Sequence, residues 1–448
     1  MKPFLLTTLT ILAFCAMAPA DDHIAGVLSL EDCFRLLDDR NSQLQAAREN
    51  IAAAQARRRI ALGQKYPEIS AGASYSVVSD VTEIQFPGQT ISLPPPTGPV
   101  TVPGRRIAFG DEDAADLRLS LGIPIYTGGV LTGNVRLSDL ATQIAEADYR
   151  RIRQELRHRV RTLFLNFLKS QKAEGIAHQE VQRNERHVQD VRNRRLQGMA
   201  VDVDLLQARI ALSQSQQILL ARTNESEQAR LALLSIHQLP PDSPITFSEQ
   251  QWGNPPQPDE VPAEDKPLDS RTEIRKMTLE VQAARERRAL ETSNQKPSLY
   301  FSSSGHYGRP GLDPVQNEWM PYATAGLNLD FTLFRGGAIT AQVEEKQKAI
   351  DALENQYLST ERQIILERQS ARLTLNTAQS RWELAREQLD NARERFRVTE
   401  TMWNQGMATE TSYQDARETL TESELSLSAA ALDYWLALAE LIRANGEE

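Results

Sequence analysis

Six histidines and two cysteines are the side chains of this 448-residue chain best suited to metal or nucleophilic chemistry. Their spacing suits neither. Metal ligands on helices and loops come at short fixed intervals, whereas His178 and His187 stand nine positions apart and the other histidines are scattered. No Gly-rich phosphate loop, Gly-x-Ser-x-Gly elbow or His-Glu-x-x-His sequence occurs. Neither catalysis nor a resident metal or cofactor is therefore expected, and His178 and His187 are expected on a solvated helix surface.

The elements that carry these residues are long helices. Only 6% of the chain is aromatic, while 25% is charged and Arg and Glu are interleaved, a coiled-coil composition. The formal charge of −10 gives no basis for nucleic-acid binding. Residues 1–20 read as a signal peptide: Lys2, an apolar run from Phe4 to Ala18, then Ala18-Pro19-Ala20 before Asp21. Cys15 raises an acylated alternative, against which Phe14 stands where a small residue is needed. With Cys15 removed, Cys33 has no disulfide partner, and its helical context predicts a buried thiol. After the leader no apolar run approaches the roughly twenty residues of a membrane helix, so membrane insertion requires strands.

The chain is built twice. Tyr126-Thr127-Gly128-Gly129 returns as Phe334-Arg335-Gly336-Gly337, and Gln197-Gly198-Met199-Ala200 returns unchanged as Gln405-Gly406-Met407-Ala408, both after 208 positions. Between the second pair of landmarks, Ala371, Leu375, Ala378, Trp382, Ala385, Leu389, Ala392, Phe396, Thr399 and Trp403 step by four and three. After Gly406 the seam resumes at Tyr413, Ala416, Leu420, Ser423, Leu427, Ala430, Tyr434, Ala437 and Leu441. The spacing predicts a helical hairpin over about 338–444 turning near 406, and its counterpart over about 130–238 turning near 198. The first seam is interrupted by polar residues such as Glu174 and Asn184.

Alternating segments precede each hairpin, predicting strands at about 68–78 and 116–126, then at about 298–307 and 322–333. One apolar and one polar face at this length suits a barrel wall with lipid outside and water inside. Four strands cannot close a barrel, so oligomerisation is required. The first repeat spans 21–239 and the second 268–448, joined by a Pro-rich linker at 240–267. Shorter helices over 29–64 and 268–295 open the repeats, and the stretches 80–115 and 308–321 are expected to be loops.

The order of short helix, Tyr66-Pro67 or Lys296-Pro297, strand, loop, strand ending in aromatic-x-Gly-Gly, long helix, Gly turn and returning helix resembles the TolC family of outer-membrane efflux proteins. The resemblance implies a mixed α and transmembrane β fold. Its trimer forms a 12-stranded barrel in outer-membrane lipid, continuous with a periplasmic α-helical coiled-coil barrel. It implies the exit duct of a tripartite efflux or type I secretion system, working with a periplasmic adaptor and an inner-membrane pump. A secreted coiled-coil scaffold or adhesin is the alternative.

By the same resemblance, Gly198, Met199, Gly406 and Met407 match the turns at the periplasmic mouth, where the adaptor docks. Asp415 matches a carboxylate of the pore constriction. Ser412 replaces its acidic neighbour, which implies a weaker ring with help from Glu410. Asp204 matches a gate carboxylate whose usual aromatic hydroxyl partner corresponds here to Trp403, which cannot donate the same bond.

Overall fold

A computed structural model describes residues 26–92, 94, 96, 98–109, 111–248, 255, 267–313 and 318–446. The expected signal peptide with Cys15, and most of the inter-repeat linker, lie outside them. In chain order the elements are β1 (Gly26–Leu28), α1 (Leu30–Arg40), α2 (Ser42–Gly63), β2 (Glu68–Val77), β3 (Thr82–Phe86), β4 (Gln89–Ser92), β5 (Pro99–Val102), β6 (Arg105–Phe109) and β7 (Asp113–Tyr126). There follow α3 (Val130–Leu196), α4 (Asp202–Ile236), β8 (Ile245–Phe247), a 3₁₀ turn (Leu268–Ser270), α5 (Thr272–Ser293), β9 (Ser298–Arg309), β10 (Met320–Asp330), α6 (Ala338–Asn404) and α7 (Glu410–Ala444).

Helices α3 and α6 are both 67 residues, α4 and α7 both 35, and every bound of the second pair lies 208 positions after its counterpart. At 1.5 Å per residue each long helix extends roughly 100 Å. The short helix expected over 29–64 is two helices, because Asn41 is extended (φ −68°, ψ 121°) and its side-chain amide donates to the Ile236 carbonyl at 3.2 Å. The stretch 80–115, expected as a loop, forms a long hairpin in which β3 pairs with β6 and β4 with β5. Its alternation is too brief and too Pro-broken to read as strand from sequence. The linker likewise contributes β8, paired parallel with β1.

The chain folds as two compact units. One contains β1, α1, α4, β8 and residues 156–196, 371–404 and 410–441 of the long hairpins. A capping box starts α1: Asp32 N–H donates to the Ser29 hydroxyl at 3.2 Å and Ser29 N–H to the Asp32 carboxylate at 3.1 Å. Cys33, Phe34 and Leu37 are buried on its inner face. Burial pushes the Cys33 thiol up to about 12, which leaves it an inert apolar group. Phe247 of β8 meets Phe164 and Phe167 edge-on, at 5.9 and 5.2 Å between ring centres. The seams of α6 and α7 are inside: Leu375, Ala385, Leu389, Ala416, Leu420, Ser423 and Tyr434 are all buried. One 18-residue window of α7 reaches a mean hydropathy of 1.4, more apolar than the sequence reading allowed. Leu432, Leu438 and Ala439 flank its seam and are buried as well, so the helix packs on a face wider than a single seam.

The second unit contains the sheet, α2, α5 and the strand-proximal parts of the long helices. Four antiparallel strands run in the order β10-β9-β7-β2, so the repeats meet at β7 and β9, while β2 and β10 are edges. Register puts Ile69, Leu121 and Ser303 on one face with Ala71, Leu119 and Gly305. The other face carries Ser70, Ser120 and Ser304 in one row. The first face is exposed: Ile69 is 70% accessible, Leu119 58% and Leu329 68%.

Each strand pair enters its long helix through a turn that only glycine fits. Gly128, Gly129, Gly336 and Gly337 all have positive φ, between 54° and 98°. A Cβ on Gly128 would stand 2.9 Å from the Lys296 Cβ and the Ser293 carbonyl oxygen. The end of α7 is held by two buried arginines: Arg271 donates to the Arg443 carbonyl at 2.9 Å, and Arg271 and Arg368 both donate to the Ala444 carbonyl. These bonds satisfy last-turn carbonyls and place cations at the negative end of the helix dipole.

His237, the residue following α4, is 1% exposed, and among the described residues neither ring nitrogen has a hydrogen-bond partner. Burial alone lowers its pKa from 6.5 to about 4. Because the folded value lies below the unfolded one, the unfolded chain binds more protons between these limits, so stability is full above pH 6.5 and falls as pH drops toward 4. The loss is roughly 3 kcal/mol at most. We expect the urea midpoint to fall between pH 7 and pH 4.5, and His237→Leu to flatten that fall. Parallel pH curves for native and variant proteins would contradict the assignment.

Candidate functional site at the hairpin turns

The turn Gly198-Met199 and the turn Gly406-Met407 are superposable in their bonding. Gly198 N–H donates to the Arg195 carbonyl at 3.0 Å and Met199 N–H to that of Arg194 at 2.8 Å. Gly406 N–H donates to Trp403 at 3.0 Å and Met407 N–H to Met402 at 2.8 Å. Both glycines are left-handed, with φ 75° and 72°, and close the helix ends with the longer bond of a Schellman motif. Met199 and Met407 project from the turns, 66% and 63% exposed. The first tip is the more apolar, with Leu196, Val201, Val203, Leu206 and Ile210 also exposed.

Behind the turns Val191, Leu205, Ala208, Trp403 and Tyr413 form one core. Trp403 is therefore a packing residue in this chain, 8% exposed, with the Arg194 guanidinium 4.7 Å above its ring. Arg194 also donates to the Trp403 carbonyl at 2.9 Å, tying the end of α3 to the end of α6. Across the hairpin the Tyr413 ring stacks 5.6 Å from the indole. Burial holds the Tyr413 phenol above its ordinary pKa, against the lowering effect of Arg417.

The carboxylates expected at a constriction separate into three environments. Asp204 caps its own helix, accepting from Val201 N–H at 2.9 Å. Asp415 is exposed; Thr419 donates to its backbone carbonyl at 2.7 Å, and no hydrogen bond or ion pair joins its carboxylate to another described residue. Glu410 faces inward: it is 5% exposed and meets His187 Nε2 at 2.6 Å, while Gln414 Nε2 donates to the same oxygen at 2.6 Å. Ser412 is exposed, its N–H donating to the Thr409 hydroxyl at 3.2 Å as part of the α7 cap.

His187, expected on a solvated surface, is 3% exposed and stacks on Tyr413 at 4.6 Å. The reason is a second contact face on α3, turned toward α7. Glu180, Arg183, Asn184 and His187 on α3 meet Glu410, Arg417, Thr421 and Glu424 on α7. Arg417, 2% exposed, donates to Asn184 and Gln414 and pairs with Glu180 at 3.2 Å. Arg183 donates to Thr421 at 3.1 Å and Glu424 at 3.2 Å, and Thr421 donates to Glu180 at 2.8 Å. The signal was present: Glu410, Gln414, Arg417, Thr421, Glu424 and Ser428 step by four and three, a polar heptad one position beside the apolar one.

A buried charge is costly once its partner is removed. Glu180 keeps a second cation, Arg183 Nε at 2.9 Å, so Arg417→Met should lower stability by roughly 2 kcal/mol through the loss of one charge-assisted pair, and adding Glu180→Leu should recover part of the loss. A double variant no more stable than Arg417→Met would contradict this coupling in a denaturation experiment.

The model of the family described as outer membrane efflux protein matches residues 35–237 and 265–447. No curated protein matches the chain. Among solved structures, the chain is similar to the outer membrane protein VceC of Vibrio cholerae, with 17% identity, 93% of this chain and 96% of that one covered, and a TM-score of 0.71. The CmeC outer membrane channel of Campylobacter jejuni gives 16%, 93%, 85% and 0.74. The open-state MtrE outer membrane channel of Neisseria gonorrhoeae gives 16%, 93%, 89% and 0.71. At these identities the structures establish a shared fold. The family comprises channels and not enzymes. With both repeats matched over most of its length, the chain belongs to the outer membrane efflux protein family.

Proposed function

We propose that three copies of this chain form the exit duct of a tripartite efflux or type I secretion system, carrying cargo from the periplasm or pump to the exterior. The observation that carries this reading is the sheet. Its apolar face is exposed, its other face is polar, and both edge strands lack partners among the described residues. Unpaired backbone groups cannot face hydrocarbon, so such a sheet is stable in lipid only within a closed ring. Three copies supply twelve strands. Apolar residues left exposed on the helices, Val203, Leu206 and Ile210 on α4 and Leu373, Leu384 and Val398 on α6, support packing between neighbouring copies. The turns at Gly198 and Gly406, with Met199 and Met407 exposed on them, offer apolar tips for a periplasmic adaptor that links the duct to an inner-membrane pump.

Detergent extraction separates this reading from a soluble scaffold or adhesin. The duct should appear as a heat-modifiable trimer in outer-membrane fractions, and release with soluble periplasmic protein would refute it. Asp415, exposed and with no hydrogen bond or ion pair to its carboxylate among the described residues, is the carboxylate available to line the constriction. In planar bilayers Asp415→Lys should reduce cation selectivity roughly two-fold or more. Unchanged selectivity would remove Asp415 from the pore.

A further inference from the structure

Register sets Gly72, Arg118, His306 and Tyr322 in one row across the polar face of the sheet, each opposite the next on β2, β7, β9 and β10. Among the described residues of these four strands, Arg118 is the only lysine or arginine on that face. It is exposed, and no hydrogen bond or ion pair joins it to another described residue. Gly72 leaves room for it: a Cβ there would stand 3.9 Å from Arg118 Nη2, so the guanidinium leans over the backbone of β2.

The nearest acid on this face is already committed. Both oxygens of Asp116 lie 3.1 Å from His306 Nδ1, and His306 Nε2 meets the Ser304 hydroxyl at 2.9 Å, which in turn meets the Thr324 hydroxyl at 2.8 Å. Held at both nitrogens, the imidazole stacks on Tyr322 with ring centres 4.7 Å apart and planes within 2°. A free, fork-shaped cation thus stands beside a fixed pair of rings, with only hydroxyl side chains, Ser70, Ser120, Ser304 and Thr324, in the next row. A guanidinium binds a carboxylate through two parallel N–H bonds, and fixed aromatic rings favour a ring on the ligand.

We propose that the Arg118–His306–Tyr322 row is a binding rung for aromatic carboxylates on the pore wall. The inference rests on the duct reading above, in which the polar face lines water. It assigns the strand end of the path a preference for organic anions, opposite in sign to the acidic mouth.

The test uses the full-length protein in planar bilayers, with benzoate as probe, acetate as a ringless anion and benzyl alcohol as an uncharged ring. Benzoate should reduce the native current at concentrations where the other two do not. Arg118→Gln should raise the half-blocking benzoate concentration roughly ten-fold, and Arg118→Lys should restore only part of the block. Tyr322→Leu should weaken benzoate block. An Arg118→Gln channel that conducts with native benzoate block and native reversal potential overturns the proposal. A native protein that forms no conductance instead removes the duct reading, and this inference with it.

Discussion

Each residue added to a helix turns everything beyond it by about 100°, and that phase constraint governs this molecule. A 67-residue helix packed along most of its length cannot absorb an insertion without rotating its seam away from its partner. The two copies of the long helix, and of the helix returning from it, have therefore kept equal lengths and a common displacement of 208 positions. Where nothing enforces phase the repeats have diverged freely. The strand connection of the first repeat has grown into a paired hairpin, while that of the second is short.

The same constraint explains what was legible in the sequence. The apolar seam of α6 and α7 announces itself because its period persists through ten residues from Ala371 to Trp403 and resumes at Tyr413. The Gly-Gly and Gly-Met landmarks are legible because left-handed backbone at those positions excludes other residues. Brief elements such as β1, β8 and the β4–β5 pair carry three or four residues each, too few for a period to emerge, and exist through pairing that is distant in sequence.

At the candidate site, the two Gly turns were legible from pattern, while the roles of Met199, Met407, Ser412 and Asp415 rest on resemblance. The inward carboxylate of Glu410 was not legible, since a polar residue on a coiled-coil helix is ordinarily read as solvated. Its environment depends on the face that α3 presents to α7, and there His187, Asn184 and Arg417 form a polar seam. Such a seam contributes less to net stability than apolar packing. It fixes which rung of one helix meets which rung of the other, because a slip of one turn would leave several buried partners unmatched.

The sheet has a consequence for the life of the chain before assembly. A single copy in water carries two strand edges unpaired among the described residues, together with a row of uncovered leucines and isoleucines, the combination that promotes edge-to-edge aggregation. In the ring proposed above these edges and this face are covered, so on that reading the interval before closure is the hazardous one for the chain. On that proposal, rapid capture by sister copies matters to this sequence as much as the fold itself.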